Sequence, residues 1–252
     1  VNFMKLLYNS TEISRTRTFC YQYNDNTYRI VKVKNCRLPG FELLSKSLDD
    51  NINMHDEIER ISLSRTKKNI RELALCNNFE YFATLTVNKN YCDRYDVDIC
   101  QDSLKKLFKA YKRKHSDFAY LFITEKHKDG AFHFHGLVKG LDTSDLYMNC
   151  NNYLSCRFFD ELGFNSFSKI RDYNKTCNYI TKYITKDCVR NKTHQIYISS
   201  RGLKKAIKSE IKNIDDNNFF TFSNDYCFVR DICLKDLNNS QICDIFQKFV
   251  DI

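Results

Sequence analysis

Residues Phe118 to Lys139 read FAYLFITEKHKDGAFHFHGLVK. Two runs rich in aromatic and β-branched residues, 118–126 and 132–139, flank Asp129-Gly130, the composition of two strands joined by a tight turn. The length of that turn decides what the strands share. With a three-residue loop, Lys128-Asp129-Gly130, and Gly130 in the left-handed position of a bulge, His127 pairs with Ala131 and Glu125 lies opposite His133. A two-residue Asp129-Gly130 loop would put Lys126 there instead. Side chains two apart on a strand share a face, so His133 and His135 present together while Phe132 and Phe134 point the other way. Alone, two such histidines also fit a solvated sheet face. With Glu125 opposite, they form a His, His, Glu triad whose mixed nitrogen and oxygen donors suit Mn2+ or Mg2+, with Zn2+ a lesser fit.

Working outward, Tyr81 to Val87 is a β-branched and aromatic run, hence a strand. Residues 101–114 place Leu104, Leu107, Phe108 and Tyr111 at helical spacing with lysines outside. Upstream, 62–76 reads as a helix with a serine cap, apolar positions at Ile70, Leu73 and Ala74, and a basic face of Arg65, Lys67, Lys68 and Arg71. Downstream, a fainter helical pattern within 144–162 ends at Gly163, a strand is expected over 164–172, and a helix begins near Asn174. The order strand, helix, strand, strand, helix, strand predicts an α+β domain. Its expected architecture is a ferredoxin-like, split βαβ antiparallel sheet with helices on one face, plus an additional helix after it.

The ends are less telling. Residues 1–56 form an N-terminal extension with a strand at Thr27 to Lys34 and a turn at Pro39-Gly40. The central domain spans 57–205. Residues 206–252 form a C-terminal segment expected on that same domain, with 203–208 helical and one or two strands over 218–231.

Composition narrows the class. Hydrophobic residues are 42% and charged residues 28%, as in a folded soluble domain, and Lys plus Arg exceed Asp plus Glu by nine. That excess suits an anionic partner such as nucleic acid, although a chain rich in Lys, Asn, Ile, Tyr and Phe also carries the bias of an AT-rich genome. Twelve cysteines include no Cys-x-x-Cys pair, so they read as reduced, mostly buried small hydrophobes rather than as a zinc knuckle. No apolar run is long enough for a membrane span and no secretory signal is read, so the expected location is the cytoplasm of a host cell and no membrane partner is expected.

The segment Asn178 to Asp187, NYITKYITKD, repeats the unit YITK without a gap. On a helix, residues four apart share a face, so Tyr179 stands with Tyr183 and Lys182 with Lys186, while Ile180 and Ile184 form a docking stripe. Two tyrosines at this spacing are also common as half-buried packing residues.

Together these elements resemble the HUH endonucleases, and most closely the two-tyrosine rolling-circle replication initiators of single-stranded DNA phages and plasmids. Phe82-Ala83-Thr84-Leu85-Thr86 is similar to that family's first motif, and Gly130 to Leu137 to its metal-binding second motif. Glu125 falls where a third ligand is commonly supplied, Tyr179 to Lys186 looks like the third motif, and Ser200-Arg201-Gly202-Leu203 is similar to a segment that follows in phage members. The resemblance covers about residues 62–205. It implies metal-dependent transesterification on single-stranded DNA at a replication origin, leaving a 5′-phosphotyrosine link and a free 3′-OH. In that reading His133, His135 and Glu125 hold the metal, and Tyr179, Tyr183, Lys182 and Lys186 are catalytic. Thr84, Thr86, Arg65, Lys67, Lys68 and Arg71 are candidate DNA contacts. No G-x-x-x-x-G-K-[ST] occurs, so a host helicase and polymerase are the expected partners. The alternatives are a relaxase or single-strand transposase of the same superfamily, and a non-catalytic RNA-binding ferredoxin-like module that would use Phe132 and Phe134 for stacking. A zinc hydrolase fits less well, because no Asp-His pair follows His-x-His.

Overall fold

The computed structural model describes residues 14–37, 51–184, 195–224 and 227–250. In chain order the first elements are β1 (Ser14–Asn24), β2 (Thr27–Arg37), α1 (Asn51–Leu75), β3 (Tyr81–Thr86) and α2 (Val97–Lys114). There follow β4 (Ala119–Lys126), β5 (Phe132–Lys139), β6 (Leu146–Met148), β7 (Leu154–Cys156), β8 (Asn165–Lys169) and α3 (Tyr173–Tyr179). The chain continues with β9 (Tyr197–Ser199), β10 (Ile207–Ile211), β11 (Phe222–Ser223), β12 (Cys227–Cys233) and α4 (Asn239–Val250). The protein is α+β with antiparallel sheets, and it divides into a unit spanning 50–204 and a unit formed by 1–49 with 205–252.

The unit of residues 50–204 is built on a five-stranded sheet in the order β8-β3-β5-β4-β9. β3 and β4 are joined through α2 and separated in the sheet by β5. Alternation sorts the two faces. Ala83, Leu85, Phe122, Phe132, Phe134 and Phe167 meet Leu104, Phe108 and Tyr111 of α2 in one buried cluster. The Phe108 ring lies 4.2 Å from Tyr120 and 5.1 Å from Phe122 between centroids. α2 starts cleanly because the Asp96 carboxylate accepts from the backbone N–H groups of Asp98 and Ile99, and it ends in Lys112, Arg113 and Lys114, which complement the helix dipole.

The opposite face, bearing Phe82, Thr84, Glu125, His133 and His135, meets α3 and the turn after it, and α1 packs against both. Helices therefore cover both faces, not one. The Tyr173 hydroxyl ties α1 to α3, donating to Ala74 O at 2.6 Å and accepting from Phe79 N at 2.9 Å.

α1 also begins well before the expected Ser62. No glycine or proline interrupts Asn51 to Leu75, so Ser62 is an interior helical residue and not a cap. The expected second helix, 144–162, is absent. Asparagines at 149, 151 and 152 favour a turn: Asn149 Oδ1 accepts from the N–H of Asn151 and of Tyr153, and Asn152 adopts φ +59°. A β6–β7 hairpin with short 3-10 turns on either side stands in its place.

In the other unit the sheet order is β10-β1-β2-β12-β11. The expectation that 206–252 packs on the central domain gives way to strand pairing with the N-terminal residues. β10 pairs β1 and β12 pairs β2. The helix expected over 203–208 is likewise absent: 203–206 carry no regular structure, and β10 begins at Ile207, where pairing with β1 satisfies the backbone. Ile30, Ile214, Phe219, Ile232 and Ile245 form a separate core here.

Candidate functional site

The β4–β5 hairpin sets the site. Its loop has the three-residue form: His127 N donates to Ala131 O at 2.8 Å, Gly130 N donates to His127 O at 2.9 Å, and Gly130 sits at φ +89°. The register then puts Glu125 opposite His133 and Ile123 opposite His135. On the other side of β5, Thr86 pairs His133 and Thr84 pairs His135. Just beyond, Gly136 is required by crowding, because a Cβ there would come within 2.3 Å of the Phe122 ring and 2.7 Å of Leu121 O. Phe132 and Phe134 are 9% and 0% exposed, so neither can stack a nucleobase as the RNA-module alternative requires.

Each imidazole is held through Nδ1. The Thr84 hydroxyl lies 3.2 Å from Nδ1 of His135, and the Thr86 hydroxyl 3.1 Å from Nδ1 of His133. His135 Nε2 meets Glu125 Oε2 at 2.8 Å. Burial pushes both imidazole pKa values down, against the opposing pull of Glu125, which favours neutral rings. A neutral His135 donating Nε2–H to Glu125 accepts the Thr84 hydroxyl at Nδ1. His133 lies beside His127, with ring centroids 4.8 Å apart and the planes tilted by 31°. Thr84 and Thr86, candidate DNA contacts by resemblance, thus put their hydroxyls on the histidines.

The donor types of His133, His135 and Glu125 suit a divalent cation, but ligation through Nε2 would need each Nδ1–H to donate to its threonine hydroxyl and Glu125 to release Nε2 of His135. Among the described residues no three His, Cys, Asp or Glu side chains close into a metal-holding group. Glu125 is engaged with His135.

The tyrosines arrive from below the sheet. Asp172 caps α3 by accepting from Lys175 N, and the helix tightens at its end into a 3-10 turn, Ile180–Tyr183. Tyr179 therefore closes the α-helix and Tyr183 closes the tighter turn. Ile180 and Ile184 are buried and dock the turn. The two tyrosine rings meet edge to face at 5.6 Å, and the Tyr183 hydroxyl donates to that of Tyr179 at 3.0 Å. Tyr183 lies flat on His135, 3.9 Å between centroids at 12°. Burial, the Tyr179 hydroxyl and Glu125 all push the Tyr183 phenol pKa up. Tyr179 is 45% exposed, with Lys182 Nζ 5.1 Å over its ring.

Among the candidate residues, the structure brings together His133, His135, Glu125, Thr84, Thr86, Tyr179, Tyr183 and Lys182. Lys186 lies outside the described residues. Arg71 reaches the site from α1, its Nε donating to Asn178 Oδ1 at 2.7 Å. Arg65, Lys67 and Lys68 sit earlier on the same helix, with Arg65 and Lys68 exposed. Sequence reasoning did not single out Phe82 as a site residue. Its ring lies 5.7 Å from Tyr179, 6.2 Å from Tyr183 and 6.3 Å from His135. Period-two alternation with Thr84 and Thr86 was the signal that places it on this face.

Ten cysteines have described side chains, all free. Cys76, Cys100, Cys156 and Cys177 are buried and the rest are partly or fully exposed. No described helix is long and apolar enough to cross a membrane.

Residues 80–188 match a family model described as replication-associated protein ORF2. The match starts just before β3 and runs past the turn that ends at Tyr183, so it covers every histidine and tyrosine of the site. This similarity supports a role in replication initiation. No curated protein and no solved structure matches the chain.

Proposed function

We propose that the chain is a rolling-circle replication initiator that nicks and rejoins single-stranded DNA at an origin through tyrosine transesterification. The observation that carries this reading is the stack of Tyr183 on His135, with Glu125 on the same imidazole and Tyr179 hydrogen-bonded behind it. Two phenols and a His-Glu cluster on one patch give nucleophiles beside a potential cation site. The strand order β8-β3-β5-β4, with α2 linking β3 to β4, supports a ferredoxin-like split βαβ core, its second helix replaced by the β6–β7 hairpin.

A phenol has an unperturbed pKa of about 10 and is a weak nucleophile at neutral pH. His133, His135 and Glu125 would hold Mn2+ or Mg2+, which when bound polarises the non-bridging oxygens of a phosphodiester. A tyrosine oxygen attacks phosphorus and the bond to the 3′-oxygen breaks. The phenol proton is lost, the 3′-oxygen leaves as a hydroxyl after taking up a proton, and the 5′-phosphate remains on the tyrosine. Lys182, over the Tyr179 ring, offsets negative charge developing there. Because one ester replaces another, the 3′-OH can reverse the step without ATP. The second tyrosine then supplies a nucleophile while the first is occupied.

The test is incubation with single strands tiled across the protein's own replicon, with Mn2+ or Mg2+, followed by denaturing gels. A covalent protein–DNA adduct is expected, lost in the Tyr179→Phe/Tyr183→Phe double variant and in His135→Ala. Absence of an adduct with every strand and both metals overturns the reading.

A further inference from the structure

Beside Tyr179 the surface opens into a groove of about 640 Å³, walled by the end of the edge strand β8 and by α3. Four cations line it: Lys169 and Arg171 from the β8 side, and Lys175 and Lys182 from the helix side. All four are exposed. The one carboxylate in the groove wall, Asp172, is engaged with Lys175 at 3.0 Å and caps α3. Among the described residues Lys169, Arg171 and Lys182 have no carboxylate partner, so the groove holds a net excess of positive charge. At its inner end stand the rings of Phe82 and Tyr179. Asn178, fixed by Arg71, completes the wall near them.

We propose that this groove holds the phosphate backbone of a single DNA strand on one flank of the scissile position, leading that strand onto Tyr179. The inference rests on the nicking function proposed above and extends it to residues outside the three sequence motifs. Charge complementarity selects the occupant. Three unpaired cations spaced along an open trough match a chain carrying one charge per nucleotide, and the aromatic end accepts an unstacked base. Lys169 and Arg171 are binding residues in this assignment and take no part in bond making.

The experiment measures affinity and chemistry separately on the full chain, with Lys169→Gln/Arg171→Gln against the wild type. Lys106→Gln/Lys109→Gln, on the exposed face of α2, is the matched charge control. The probe is a fluorescently labelled single-stranded oligonucleotide of mixed sequence, titrated at several salt concentrations. Each lost phosphate contact on a single strand lowers the salt slope by about 0.7, so the double variant is expected to lose about 1.4 in slope and roughly 10-fold in affinity. The control is expected to match the wild type. With saturating cleavable strand, adduct formation per bound complex is expected to stay within about threefold, since the chemistry is left in place. A double variant with wild-type affinity and slope, while the wild type binds and forms adduct, overturns the groove alone. A wild type that neither binds single strands nor forms adduct overturns the function it rests on. Tighter binding of the same sequence as RNA also overturns the assignment to DNA.

Discussion

Tyr183 donates its hydroxyl hydrogen to Tyr179 across 3.0 Å while its own ring lies flat against His135. The two phenols are therefore not equivalent. Tyr179 is exposed and lines the basic groove, whereas Tyr183 is half-buried, with its ionisation opposed by burial, Tyr179 and Glu125. Under the proposed function an incoming strand would meet Tyr179 first, with Tyr183 held in reserve beside the imidazole.

That asymmetry predicts a split between two assays. Tyr179→Phe is expected to lose most of the first-cleavage adduct. Tyr183→Phe is expected to keep it but fail to transfer a second strand in a two-substrate joining reaction. Peptide mapping of the adduct reads the order directly, and first adducts found only on Tyr183 would reverse it.

The threonine hydroxyls on the two Nδ1 atoms predict an effect on metal affinity without loss of fold. Thr84→Val and Thr86→Val keep shape but remove the groups that orient His135 and His133. Outer partners of this kind change metal affinity by about 10- to 100-fold. Calorimetric titration with Mn2+ should show weakening in that range, with adduct yield recovering at saturating Mn2+. Unchanged affinity would reduce the threonines to packing.

Much of this geometry was legible in the chain itself. The Asp-Gly turn with a bulge placed Glu125 against His133, because strand register follows from loop length and leaves one answer per length. Period two likewise put His133 and His135 opposite Phe132 and Phe134. The 144–162 segment misled because its apolar spacing suits a helix, while local side-chain bonds of Asn149 impose a turn that hydrophobic pattern does not encode. The pairing of β10 and β12 with β1 and β2 was illegible for a different reason: contacts far apart in the chain, such as Cys20 with Ser209, leave no local trace. Lys169, Arg171 and Lys175 drew no notice because a solvated lysine or arginine reads the same in sequence whether or not it faces a groove.

The Gly136 backbone predicts a stability loss from one methyl group. Its Cβ would overlap the Phe122 ring and Leu121 O, both fully inside the sheet core. Gly136→Ala is expected to destabilise by about 1–3 kcal/mol through overpacking, read by urea unfolding. Gly130→Ala should cost about 1–2 kcal/mol from its positive φ alone. The Tyr95 ring lies 3.6 Å from the added carbon and leaves room for the methyl.

Asp172 carries a pH signature. Its bonds to the backbone and side chain of Lys175 hold its carboxyl below the usual range. A carboxylate depressed in the folded state stabilises above its unfolded pKa, and that contribution is lost as pH falls through the folded value. Asp172→Asn is therefore expected to be less stable than the wild type at neutral pH, with the gap closing in acid. Paired thermal melts across that range test it, and a gap that stays constant with pH would show that the cap acts without its charge.

Phe82 predicts a loss of rate in a residue that makes no hydrogen bond to the reacting groups. Its ring lies within about 6 Å of Tyr179, Tyr183 and His135, so it forms the shared surface against which all three are oriented. Phe82→Leu keeps much of the volume but replaces a flat face with a branched one, letting the Tyr183 ring rotate away from its parallel setting on His135. Small misplacements of reacting groups cost on the order of 10- to 100-fold in rate. Adduct formation at saturating strand should fall by that factor, over and above any loss of single-strand affinity from the aromatic end of the proposed groove. Tyrosine in place of Phe82 preserves the flat ring and should restore most of the rate. A leucine variant with full rate would mean that the sheet and the 3-10 turn alone hold the tyrosines in place.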